Sequence, residues 1–314
     1  MSSDAESSKR VVGYLGPAGT YTEQALLTQP DLAEAEHRLI GSIPQVLTAT
    51  AQGAVDLGFV ALENAIEGTV NVTLDTLAFD LDLLIQREVE MPISVSLLAP
   101  VGTELSAIER VVSIPVAAAQ CRRFLNETLP DAVLEAANST AEGAQIVAAR
   151  NDRVSATVGP VRTAEVYGLE VLADEIEDHP ENRTRFVVVA RDGIPAPSGH
   201  DKTSIVVYQR ADVPGSLLAI LQEFAARSIN LSKLESRPTK TQLGEYCFII
   251  DLDGHIADKV IGDALREIHM KQGGVKFLGS YPAAGEHQEE IRREAGQSEA
   301  EADAWLDELR THIG

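Results

Sequence analysis

From Val11 to Ala190 short apolar runs alternate with stretches whose apolar residues recur three and four apart, and no other feature of the chain narrows its fold as much. Short β-branched runs bounded by turn residues read as strands, and the longer periodic stretches read as helices. On that basis strands are expected at 11–15, 37–41, 56–62, 110–113, 133–137, 153–157, 170–173 and 186–190, with extended stretches at 83–88 and 93–99. Helices are expected at 20–28, 43–53, 70–79, 115–128, 139–150 and 160–167. Repeated strand–helix alternation implies parallel sheets covered by helices on both faces. The pattern breaks around 80–98 and 174–183, which favours two α/β lobes over one wide sheet: about 10–82 with 178–191, and about 83–177. Two crossings make a two-stranded hinge, and ligands of such sheets sit at the carboxyl ends of strands.

Residues 192–202 (DGIPAPSGHDK) are a Pro-, Gly- and Ser-rich linker. After them the order changes to strand 203–209, helix 215–228, strands 230–237 and 244–253, helix 256–272 and strand 275–281. That βαββαβ order is a ferredoxin-like module, placed at 203–284. Residues 1–9 read as a disordered tail. Residues 285–314 form an acidic tail with a helical stretch at 301–309 and the one Trp, Trp305.

Charge excludes several partners. Lys and Arg number 26 against 48 Asp and Glu, a net charge of −22, so nucleic acid and anionic membrane are poor partners for the bulk surface. No apolar run approaches the ~20 residues of a membrane span, and MSSDAESSKR lacks the apolar core of a signal peptide. The 2 Cys, Cys121 and Cys247, have no metal-type spacing and fit a reduced, cytoplasmic setting with both thiols buried. Scattered His residues give no expected metal site, and no dinucleotide fingerprint or P-loop lysine is present.

Polar residues collect at strand ends. In GYLGPAGTYTE a strand runs through a Gly-rich turn into a helix, where Thr20-x-x-Glu23 fits a capping box and the helix start suits a carboxylate. In ALENAIEGTV, Glu63 and Asn64 close an apolar strand, and Gly68-Thr69 opens a helix. In SIPVAAAQC, Ser113 ends a strand as a possible cap, and Gln120 is an amide on an Ala-rich face that needs a partner. Ser139-x-x-Glu142 in NSTAEGAQ reads as a second, structural capping box. HPENRTRFVVVAR sets Asn182, Arg183, Thr184 and Arg185 at the mouth of a buried strand, either as a solvated loop or as part of a site.

Taken in order, GYLGPAGTYTE, ENAIEGTV, SIPVAAAQC, NSTAEGA, YGLEVL and NRTRF closely resemble the prephenate dehydratases. INLSKLESRP, GEYCFIIDLDGH and LGSYP resemble the ACT domain that follows in that family. The resemblance implies a two-lobed catalytic domain like type II periplasmic binding proteins, with its site between lobes. It implies conversion of prephenate to phenylpyruvate, water and carbon dioxide without cofactor or metal. L-phenylalanine would act as effector where ACT domains pair, in a homodimer or homotetramer built through ACT and catalytic domains. Matched residue by residue, Thr184, Glu63, Asn64, Ser113 and Gln120 are the catalytic set, with Glu63 a proton source if burial raises its pKa. Thr20, Arg185 and Phe186 are expected to bind or position substrate. Pro214, Gly215, Ser216, Leu217, Leu218, Glu235, Ser236, Arg237 and Pro238 are the expected phenylalanine contacts.

Several positions depart from the family. Ile114 and Val116 stand where His and Gln are frequent, Ala65 and Ile66 where Ser and Thr are usual, and Ser216 where Ala is common. No chorismate mutase segment precedes residue 11, so a single activity is expected, and removing residues 200–314 is expected to abolish phenylalanine sensitivity. Arogenate dehydratase and a non-catalytic two-lobed small-molecule binder with an amino-acid sensor are the alternatives.

Overall fold

The computed structural model describes residues 9–209, 214–240, 245–285, 304–305 and 310–311. The helix expected at 301–309 and most of both expected tails lie outside the described residues. In chain order the elements are β1 (Val11–Leu15), α1 (Tyr21–Leu27), α2 (Pro30–Ala33), β2 (Glu36–Ile40), α3 (Ile43–Ala51), β3 (Leu57–Asn64), β4 (Gly68–Thr69) and α4 (Asn71–Asp75). A π-helical turn, Thr76–Asp80, leads to β5 (Leu84–Pro92), β6 (Ser96–Pro100), a short 3-10 turn Leu105–Ala107 and β7 (Arg110–Ser113). Then come α5 (Pro115–Gln120), α6 (Arg122–Thr128), β8 (Val133–Ala136), α7 (Thr140–Arg150), β9 (Ser155–Gly159), α8 (Val161–Tyr167), β10 (Leu169–Ala173) and β11 (Arg183–Ala190). The C-terminal part runs β12 (Asp201–Tyr208), α9 (Ser216–Ala225), β13 (Leu231–Pro238), β14 (Tyr246–Asp253), α10 (Lys259–Lys271) and β15 (Gly274–Pro282).

These strands make the two α/β lobes and the ferredoxin-like module that the sequence pattern implies. The first sheet has the order β2-β1-β3-β11-β5, with β4 on β3, and β1 runs parallel to both β2 and β3. The returning strand β11 lies inside this sheet, as in a type II periplasmic-binding-protein-like lobe. The second sheet has the order β10-β6-β9-β7-β8. It is mixed, not all parallel: β6 runs antiparallel to β9 and β10, while β7 is parallel to β8 and β9. β5 belongs to the first sheet, so the first lobe extends through Pro92, past the expected crossing at residue 82.

Two local departures have local causes. The helix expected over 115–128 is two, because Cys121 leaves helical geometry (φ −117°, ψ 21°). β9 starts at Ser155, two residues late, because Asn151 and Arg153 take left-handed φ of 47° and 53°. Asp152 Oδ1 fills the turn between them, accepting from the amides of Val154 and Ser155 at 3.1 and 2.9 Å.

By contacts the described residues fall into two compact units. One holds the chain up to Leu74 together with Val89–Phe186; the other holds Asp75–Glu88 and the chain from Val187 onward. In the second unit the antiparallel sheet β13-β14-β12-β15 buries Val207, Phe248, Ile250 and Leu252 under Phe224 of α9 and Ala264 and Ile268 of α10. Within that unit Asp75–Glu88 is held by side chains of the module. The Tyr208 hydroxyl donates to the Ala78 carbonyl (2.9 Å), Lys276 to the Leu81 carbonyl (2.8 Å), and Lys202 pairs with the buried Glu88 (2.8 Å). No helix among the described residues is long and apolar enough to cross a membrane.

Candidate functional site

The first unit gathers polar side chains where β3 ends and β11 begins. β11 starts at Arg183, three residues earlier than its apolar run, and Asn182, Thr184 and Arg185 are 1%, 9% and 9% exposed. The solvated-loop alternative for this stretch is thereby excluded. The Ala65 amide donates to the Arg183 carbonyl (2.8 Å) and the Ile93 amide to the Asn182 carbonyl (2.8 Å), so backbone bonds hold this stretch from two sides.

Asn64 organises the cluster. Its Nδ2 lies 2.9 Å from both Asn182 Oδ1 and Thr184 Oγ1. Its Oδ1 accepts from the amides of Ile66 (3.0 Å) and Glu67 (2.9 Å). Residues 65–67 therefore form a hairpin loop between β3 and β4, in register Glu63↔Thr69 and Asn64↔Gly68. Gly68 takes φ +78°, a left-handed conformation that glycine adopts without steric cost. Gly68-Thr69 is thus a strand, not the helix start expected from sequence.

Glu63 and Arg185 meet separately, at 3.6 Å. Successive strand residues point to opposite faces. Asn64 with Thr184 and Glu63 with Arg185 therefore form two separate pairs on alternate sides of their strands. The Glu63 side chain is 36% exposed. Phe186 stacks on Phe59 in the core, centroids 5.4 Å apart, and is 1% exposed. It positions its strand and offers no face to a ligand.

The second lobe brings Gln120 to this cluster through a residue the sequence reading missed: Gln120 Nε2 donates to Glu67 Oε1 at 3.2 Å. Ser113 is 3% exposed, but its hydroxyl donates to the Ile114 carbonyl and no side chain caps α5. Its expected capping role is not observed. Thr20 does cap α1, accepting from the Glu23 amide (3.3 Å), while Glu23 accepts from the Gly19 amide (2.5 Å) and the Tyr14 hydroxyl (3.2 Å). Burial and the neighbouring Glu23 carboxylate raise the Tyr14 pKa, so Tyr14 remains a donor. Ser139 caps α7 as expected, its hydroxyl accepting from the Glu142 amide at 3.0 Å. The lobes also touch directly, through the Tyr167 hydroxyl on the Ala18 carbonyl (2.8 Å) and Thr163 Oγ1 on the Gly19 carbonyl (2.5 Å).

In the second unit a groove of about 560 Å³ is lined by Gly215, Ser216, Leu217, Leu218, Ser236 and Phe248 among others. Gly215 (φ +88°) lets the chain turn directly into α9. Glu235 and Arg237 flank Ser236 on β13, so they point to the opposite face, where they pair at 3.0 Å and Arg237 reaches Asp75 at 3.6 Å. Of the expected effector contacts, Pro214, Glu235, Arg237 and Pro238 are not among the groove lining.

A family model described as prephenate dehydratase matches residues 12–194, and one described as ACT domain matches residues 203–269. Over 313 residues the chain is 40% identical to a prephenate dehydratase of Mycolicibacterium vanbaalenii, covering 95% of this chain and 98% of that one. A solved prephenate dehydratase of Arthrobacter aurescens in complex with L-Phe is 38% identical, with a TM-score of 0.81 over 96% of this chain and 99% of that one. GqqA, described as a novel type of quorum quenching acylase, is 26% identical, with a TM-score of 0.77 over 88% of this chain and 98% of that one.

Proposed function

Since the chain belongs to the prephenate dehydratase family, we propose that it converts prephenate to phenylpyruvate in phenylalanine synthesis, with L-phenylalanine as feedback effector. Prephenate carries two carboxylates and a ring hydroxyl. The ring carboxylate leaves as carbon dioxide, and the electron pair of the broken C–C bond flows into the ring. The C–O bond opposite breaks, and the hydroxyl takes up one proton and departs as water. The reaction therefore needs a donor at that hydroxyl and a dry environment for the departing carboxylate.

The observation that carries the reading is the bond from Asn64 Nδ2 to Thr184 Oγ1 (2.9 Å). Because the threonine oxygen accepts there, its own hydrogen is left to donate to the leaving hydroxyl. A threonine is too weak an acid to be the ultimate proton source, so Thr184 acts as an oriented donor and relay. Arg185 lies 3.6 Å from Glu63 and is proposed to pair with a substrate carboxylate. Gln120, Ser113 and Thr20 remain proposed as site residues at the strand and helix ends of the two lobes.

Phenylalanine binds, on this reading, in the groove of Gly215, Ser216, Leu217, Leu218 and Ser236, whose leucines suit an aromatic ring and whose hydroxyls suit the amino-acid head. The groove is completed where ACT domains pair in a cytoplasmic homodimer or homotetramer. To regulate, the effector must distinguish two states by about 1–3 kcal/mol.

Comparing turnover of prephenate and arogenate, by release of phenylpyruvate and of phenylalanine, tests the reading. Preference for prephenate is expected. Preference for arogenate would reassign the substrate, and turnover of neither would sink the dehydratase reading. The likeness to GqqA raises an amide-cleaving alternative. That chemistry needs an activated nucleophile, and here Ser113 donates to a backbone carbonyl while Thr184 is held by an amide.

A further inference from the structure

Glu67 belongs to none of the residue sets expected from sequence, yet it holds a bond between the lobes. Its backbone is fixed by Asn64, whose other end orients Thr184 (Oδ1 to the Glu67 amide 2.9 Å, Nδ2 to Thr184 Oγ1 2.9 Å). Its carboxylate accepts from Gln120 Nε2 at 3.2 Å. Gln120 ends α5, and its carbonyl accepts from the Asp178 amide at 2.6 Å, so the backbone behind the amide is itself anchored. No cation lies in ion-pair range of Glu67 among the described residues, so no competing charge draws the carboxylate away from Gln120.

We propose that Glu67 is a positioning residue: by holding Gln120 it closes the cleft mouth and turns the Gln120 carbonyl oxygen toward the substrate. An amide whose N–H is engaged by a carboxylate presents its oxygen on the other side. Glu67 and Thr184 depend on one side chain, Asn64, so closure at the mouth and alignment of the hydroxyl share a single loop. Glu67 takes no part in proton transfer, and its effect appears in substrate capture.

This inference rests on the dehydratase reading, and steady-state kinetics on the full chain separate the two. If the wild-type chain turns over neither prephenate nor arogenate, the dehydratase reading fails. If it is active, Glu67→Ala is expected to raise KM about fivefold, the size of one modest hydrogen bond, with kcat within twofold and an unchanged melting temperature. Glu67→Gln keeps an acceptor for Gln120 and is expected to restore KM to within twofold of wild type. Glu67→Lys, which donates where an acceptor is needed, should be worse than Glu67→Ala. The Glu67→Ala, Gln120→Ala double variant should show no larger KM than Gln120→Ala alone. Equal defects in the Ala and Gln variants, additive effects in the double variant, or a kcat loss with a displaced pH profile would overturn the proposal.

Discussion

Where β3 meets β11, polar side chains are buried and bonded to one another before any ligand arrives; in the groove beside α9 they are sparse and open. Asn182 is 1% exposed and Thr184 is bonded to Asn64, whereas Leu218 in the groove is 57% exposed. A cluster proposed to do chemistry requires each donor fixed in advance, since a misdirected hydrogen costs rate directly. A groove proposed to take an effector needs only differential affinity between two states, so it can remain half-built and gain its remaining contacts on binding. The chemical cluster is accordingly dense in long-range bonds, and the groove is built largely from one helix start and one edge strand.

That contrast is broken most severely by Thr184→Val, which keeps the shape and removes the hydroxyl. Turnover should fall ~100-fold or more, in the range of general acid assistance, with little change in melting temperature. Turnover within threefold of wild type would take Thr184 out of the chemistry.

A smaller effect is expected from Asp75→Asn. Asp75 ends α4 and lies against Arg237 (3.6 Å) and Lys240 (2.7 Å), and Arg237 follows the groove residue Ser236. The phenylalanine concentration for half-inhibition should rise roughly threefold, while phenylalanine binding by calorimetry stays near wild type. Unchanged inhibition would detach Asp75 from the effector response.

Smaller still is a pH effect in the module. Hydrogen bonds from Lys271 and Arg227 hold the Glu223 carboxyl below its ordinary 4.5. A lowered folded-state pKa stabilises above the unfolded value and is lost as pH falls through the lowered one. The melting-temperature difference between wild type and Glu223→Gln should therefore be full at pH 6 and disappear below pH 4.5 as acid titrates the pair. A difference that persists at lower pH would show that Glu223 stabilises without its charge.

The smallest effect is a null one common to both regions. Burial, with Asp178 and Glu177 nearby, pushes the Cys121 thiol up to about 12, and burial pushes Cys247 up to about 11. A chromogenic disulfide reagent at pH 8 should find no thiol in the native chain and 2 after unfolding. Rapid reaction of one thiol in the native state would reveal an opening in the unit that carries it.

Strands and helices were legible where periodicity is local, as in β1 and β7, which lie at the expected positions. Asn182 and Thr184 read equally well as loop because the group that satisfies them, Asn64, lies 118 and 120 residues away. The membership of β5 was hidden for a similar reason: an apolar run declares a strand but not its neighbour. Face assignment was readable in principle, since Thr184 and Arg185 are adjacent and a strand alternates. The apolar run that declares the strand begins only at Phe186, so the polar residues before it carry no visible alternation. Glu67 left a faint signal in Asn-x-x-Glu-Gly, the pattern of a side-chain-closed turn, but nothing local points from there to Gln120.

The grip of the regulatory sheet on Asp75–Glu88 bears on how such enzymes can be dissected. The Glu88 side chain is 0% exposed and paired to Lys202, and excising residues 200–314 would remove Lys202 from that carboxylate. Removing a partner from a buried charge destabilises the strand that carries it. A truncated enzyme that ignores phenylalanine could therefore have lost either its sensor or the order of its own β5. The heritable regulatory cassette is discontinuous: a recombination event that exchanged this sensor at the linker alone would sever it from fourteen residues encoded far upstream. Point substitutions in the groove, which leave those residues covered, are the cleaner instrument.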